Sequence, residues 1–201
     1  MKMKNWELSL IVAIIITLFV TTGISKSQSA LADKLVRLHV VASSDSKEDQ
    51  ALKLRVRDRV LDVLSEPLSG ISNADDARTV IVESFGIIKS AALEEIYASG
   101  CDYGISLSFG IERFPTREYD TFSLPAGEYA ALRVNIGDGA GQNWWCVVFP
   151  PLCAELAISG DLEVSALLDE EEVKLITEEE GYVVRFKCME MLSSLKLFFK
   201  K

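Results

Sequence analysis

Leu8 to Ile24 is a run of 17 residues without a single charged side chain, and Lys2 and Lys4 stand just ahead of it. At about 1.5 Å of rise per residue, such a run only just reaches across a hydrocarbon core of about 30 Å. Lysines at the N-terminal flank stay on the cytoplasmic side, so whatever follows the run is expected to be carried outward. Ala30-Leu31-Ala32 places small residues two apart, ahead of the polar Asp33-Lys34. That spacing suits the pockets of a signal peptidase and predicts removal after Ala32, with retention as a membrane anchor as the alternative. The expected organisation is a signal peptide or anchor over residues 1–32 and one extracytoplasmic domain over 33–201. Residues 8–24 would then touch the membrane before cleavage or without it.

The charge pattern narrows the partners. Of 201 residues, 30 are Asp or Glu and 21 are Lys or Arg, a formal charge of −9. An acidic chain with no basic run interleaved with aromatics is repelled by phosphate backbones, so nucleic-acid binding is not expected.

Hydrophobic periodicity reads as an α+β domain: a small antiparallel sheet with helices packed on one face, behind the hydrophobic N-terminal helix. Leu35 to Ala42 alternates as a strand, with Leu38, Val40 and Ala42 on one face and Arg37, His39 and Val41 on the other. Ser43-Ser44-Asp45-Ser46 follows, and either Ser46 with Asp49 or Asp45 with Glu48 has capping-box spacing. A helix is predicted from there to Ser65. A second starts near Asn73, has Asp75 and Asp76 in its first turn, and closes at Gly100. Alternation returns at Tyr103 to Ile111 and at Tyr129 to Ile136. Trp144 to Phe149 is the last strand, and an antiparallel hairpin with Gly137 to Gly141 at its tip joins the final two. Pro150-Pro151 stops it. Helices are expected near Glu163 to Ile176 and again through Tyr182, Phe186 and Met189.

Few residues invite chemistry. His39 is the only histidine, so an imidazole-based hydrolase acting on cell wall would have to use it with Ser43, Ser44, Asp45 or Ser46. No strained G-x-S-x-G elbow accompanies it, and those serines sit where helix caps belong. The Gly137 to Gly141 loop leads into a strand where a phosphate cradle would lead into a helix. No C-x-x-C occurs, so neither metal nor cofactor is expected. Cys146 and Cys153 are spaced for a disulfide in an oxidising compartment, leaving Cys101 and Cys188 as a second pair; four buried thiols are the alternative. Trp144 and Trp145 fall on opposite faces of a strand, so one ring is free to anchor a partner.

Two long blocks carry a resemblance. Arg37-Leu38-His39-Val40-Val41-Ala42-Ser43-Ser44-Asp45-Ser46, with Glu48 to Leu54 and Val56-Arg57-Asp58, resembles the opening of the stage II sporulation protein R family. Phe114-Pro115-Thr116, Leu124 to Tyr129 and Asn143 to Cys153 are similar to that family's later motifs, in the same order. The resemblance implies a signalling protein of endospore formers, secreted across the forespore membrane into the intermembrane space and not an enzyme. It would there activate a membrane-embedded aspartic protease that processes a mother-cell sigma-factor precursor. The expected protease-contacting residues are Arg37, His39, Asp45, Ser46, Asp49, Gln50, Trp144 and Trp145.

Overall fold

The structure, a computed structural model, describes residues 28–119, 122–152, 168 and 176. The predicted leader at 8–24, Cys153, Cys188 and the C-terminal helices lie outside these, apart from Leu168 and Ile176. Among the described residues no helix is long and apolar enough to cross a membrane.

Residues 28–33 are helical and lead into β1 (Val36–Val41), all six residues of which are buried. Next come α1 (Lys47–Ser65), α2 (Ala74–Glu83) and α3 (Phe85–Ala98). The chain continues through β2 (Ile105–Phe114), the two-residue strands β3 (Arg117–Glu118) and β4 (Ser123–Leu124), then β5 (Gly127–Ile136) and β6 (Asn143–Phe149). The start of α1 follows the sequence signal: Ser46 is the N-cap and its Oγ accepts the Asp49 N–H at 3.1 Å. The box is not reciprocal, because the Asp49 carboxylate instead accepts the Ser44 hydroxyl at 2.6 Å. The expected second helix is two. At Ser84 (φ −81°, ψ 1°) α2 ends and α3 begins, where Ser84, Phe85 and Gly86 all have weak helix propensity. Gly100, at φ 74°, closes α3 as the sequence predicts.

The sheet corrects the antiparallel expectation. Its order is β2-β5-β1-β6, with β1 parallel to β5 and antiparallel to β6. The predicted hairpin is therefore split, and β1 lies between its two arms. β1, buried on both faces along its whole length, takes an inner position, where both of its backbone edges are paired as well. The Gly137 to Gln142 crossing loop then passes over the end of β1. Its backbone closes on the following turn: Ala140 N–H donates to Ser43 O at 3.2 Å and Gly141 N–H to Ala42 O at 2.9 Å. A Cβ at Gly141 would collide with the backbone carbonyl of Ser44, and one at Gly137 (φ 55°) with the Ser43 side chain. The glycines are there for close approach.

The sheet is covered on both sides. Val36, Leu38, Val40, Leu132, Val134, Cys146 and Val148 face α1, α2 and α3, meeting Leu52, Val56, Val60, Ile81, Ile88 and Ile96. A second cluster fills the opposite face: Leu31, Leu35, Phe114, Leu124, Tyr129, Ala131 and Val147, with Leu168 and Ile176. Among the described residues α1 to α3 lie on one face, and the 28–33 turn with the β3–β4 ribbon on the other.

Candidate partner-binding groove

The polar residues of β1 point into the second face and are buried there. Arg37 has no exposed surface. Its guanidinium lies 4.2 Å from the Phe114 ring centroid and 5.0 Å from that of Tyr129. Nη2 donates to the Tyr119 hydroxyl at 2.6 Å and Nε to Cys146 O at 3.3 Å, while Nη1 is buried without a hydrogen-bond partner. Burial pulls the Arg37 pKa below its ordinary value, with the two tyrosines opposing the shift. The Tyr119 hydroxyl in turn donates to Trp145 O at 3.1 Å.

His39 is likewise enclosed. Nδ1 is 2.7 Å from Glu112 Oε2 and Nε2 is 2.8 Å from Asn143 Oδ1, and the ring stacks on Trp145 at 3.9 Å. With both nitrogens engaged, the imidazole braces Trp145 and the start of β6. Among the described residues no serine hydroxyl is hydrogen-bonded to it. The turn serines have other tasks, since Ser46 caps α1 and Ser44 holds Asp49.

Tyr129 completes this buried group, donating to Pro125 O at 2.7 Å. Burial pushes its hydroxyl up to about 12 from 10, against the attraction of Arg37. The folded state keeps this proton longer than the unfolded chain, so the contribution is complete below about pH 10 and is lost as pH rises towards 12. We expect roughly 2 to 3 kcal/mol of alkaline destabilisation from this group. Urea midpoints at pH 9 and pH 12 should diverge less in Tyr129→Phe than in the parent; an equal divergence would remove Tyr129 as the cause.

On the outer side of these residues runs a groove of about 630 Å³, lined by Gln50, Ala51, Lys53 and Leu54 of α1, residues 117–119, and Gln142 to Trp145. The split hairpin makes it, because the crossing loop delivers the start of β6 beside the N-terminal half of α1. Asp45 fixes the join, accepting the Gln142 N–H at 2.8 Å. Lys53, nearly buried, donates to Gln50 Oε1 at 2.6 Å and to Gln142 O at 3.0 Å. Burial lowers its pKa, with Asp45 pulling the other way. Trp144 and Trp145 do lie on opposite faces: Trp145 packs over His39, and Trp144 is 36% exposed with the Arg57 guanidinium 4.5 Å from its ring centroid.

Of the eight contact residues expected from sequence, the structure gathers Asp45, Gln50, Trp144 and Trp145 about this groove, with Ser46 exposed on the adjoining turn. Arg37, His39 and Asp49 are buried and act from behind, as supports for the groove wall and the turn. Sequence reasoning missed Lys53, Arg117, Tyr119 and Asn143. Only Lys53 carried a signal, as a lysine on the apolar stripe of α1; the others lie where no periodicity is legible. Cys101 is a free thiol among the described residues, and Cys188, its expected partner, lies outside them. For the expected Cys146 bridge, Cys153 lies outside the described residues.

The described residues form an α+β module with an aromatic groove backed by buried polar braces, and no grouped metal ligands occur among them. The chain belongs to the stage II sporulation protein R family, whose pattern matches residues 32–158. It is 37% identical over 166 residues to the stage II sporulation protein R of Bacillus subtilis (strain 168), covering 78% of this chain and 74% of that one. No solved structure matches it.

Proposed function

We propose that this chain is the secreted intercompartmental signal of sporulation, which activates a membrane-embedded aspartic protease to process a mother-cell sigma-factor precursor. The single observation that carries the reading is family membership across the described domain. The uncharged Leu8 to Ile24 run supports delivery from the forespore into the intermembrane space, by a leader that is cleaved or kept as an anchor. The signal acts by binding and not by catalysis of its own. The groove between α1 and the start of β6 is its contact surface, with Trp144 as anchor, and a Cys146–Cys153 bridge secures the end of β6.

Cells that carry only the protease and the precursor test this directly. Supplying the chain should start precursor maturation, and no maturation at any dose would remove the reading. Trp144→Ala should lower activity at least ~30-fold, the loss of about 2 kcal/mol that a tryptophan anchor brings. Its melting temperature should stay within a few degrees, because the ring is partly exposed. Full activity in that variant would place the contact elsewhere.

A further inference from the structure

We propose that β2 is a self-association edge, where a second copy of this chain pairs antiparallel with the first, β2 against β2. Among the described residues β2 is the terminal strand of the sheet, in unbroken register with β5 from Ile105 to Phe114. The Gly137 N–H donates to Gly104 O at 2.8 Å, which fixes the phase of this ladder. Even-numbered residues therefore turn their backbone groups toward β5, and Ile105, Leu107, Phe109, Ile111 and Arg113 turn theirs outward.

Open edges are ordinarily blunted by lysine, proline or a bulge. This one has none, and Ile105 to Ile111 is a seven-residue run without charge. The side chains give the occupant. Ile105, Leu107 and Phe109 are partly buried against the helix-side core, but Ile111, next in the stripe, is 68% exposed. Antiparallel pairing centred on Phe109 engages all five outward-facing residues. It sets Ile111 of each copy against Leu107 of the other, and the two Phe109 rings side by side.

The same register keeps like charges apart. Glu112 falls opposite Ser106 and Arg113 opposite Ile105, so two copies of a chain with net charge −9 meet here without acid facing acid. A two-fold axis through Phe109 closes the contact as a dimer, because the β2 edges of both copies are used up in it. An extended segment of another protein could use the same backbone groups, but it would have no reason to match this pattern of side chains. Strand pairing alone buries less than a standard interface of about 1,600 Å², so a weak, micromolar dimer is expected.

The full-length chain in mild detergent tests this by sedimentation equilibrium. A dimer is expected, weakened at least tenfold by Ile111→Lys, a substitution at an exposed position that leaves the monomer folded. In a Cys101→Ser background, Ser108→Cys mixed with Gly110→Cys should form a disulfide dimer, since these positions fall opposite each other and a Cβ at Gly110 meets open space. Either variant alone should cross-link poorly. A monomer at every concentration overturns the proposal, as does a dimer indifferent to Ile111→Lys, or single variants that cross-link as well as the mixture. Monomers that associate only through a receptor peptide on β2 would overturn it too, assigning the edge to that partner.

Discussion

Replacing Gly141 by valine is expected to cost at least about 4 kcal/mol, more than most single substitutions, and so to leave little folded protein at 37 °C. The cause is backbone meeting backbone. A Cβ at this position collides with the carbonyl group of Ser44, and no rotamer change can relieve a contact with main chain. The loop would have to lift away, losing the Gly141 to Ala42 hydrogen bond and its neighbour from Ala140 to Ser43. Lifting it also withdraws Gln142, whose carbonyl accepts from Lys53 and whose N–H binds Asp45. Gly139 is the control within the same loop. Its conformation is also left-handed, at φ 61°, but the space beside it is only ordinarily close, so Gly139→Asn should cost no more than about 1 kcal/mol. Denaturant titration of the two variants decides; similar losses would mean that close approach is not what Gly141 provides.

Arg37 should respond in opposite directions to two substitutions. Arg37→Ala removes a long stem and a flat head from against the Phe114 and Tyr129 rings, and the cavity is expected to cost about 3 kcal/mol. Arg37→Met keeps most of the volume and removes a buried cation that meets no carboxylate among the described residues and whose Nη1 has no partner. Desolvating such a charge is unfavourable, and apolar replacements of similar size are often neutral or stabilising by 1–4 kcal/mol. We expect the methionine variant to be as stable as the parent or more so. Its signalling should fall, because Tyr119 loses the donor that holds it against the groove. If methionine destabilises as much as alanine, the charge itself stabilises the fold and the account of Arg37 as a positioning residue is wrong.

Much of the local structure was legible in the sequence. The Ser46 cap, the apolar stripe of α1, the glycine closing α3 and the alternation in β2 and β5 each depend on neighbours a few residues away, which sequence displays. Strand order does not. Alternation in Tyr129 to Ile136 and in Trp144 to Phe149 is the same whether the two pair directly or accept β1 between them. The clue was β1 itself, whose Val36 to Val41 contains apolar residues on both faces and a single full cation. Arg37 and His39 were expected at a surface because polar residues on alternate positions ordinarily face water; here a second layer covers them. The groove was half readable, since the turn and the tryptophans have strong local signals. Tyr119 and Arg117 come from an irregular segment, and nothing in their own sequence says they will lie beside Trp145.

Synthesis runs from the N-terminus, and this gives the placement of β1 a temporal meaning. The strand at the centre of the sheet is the first to be made, yet its partners, β5 and β6, are complete only at Ile136 and Phe149. Contacts so distant along the chain are slow to form. Until β5 has emerged, this largely apolar six-residue segment has neither of its partner strands, and the nascent polypeptide must be kept from aggregating through its own future core.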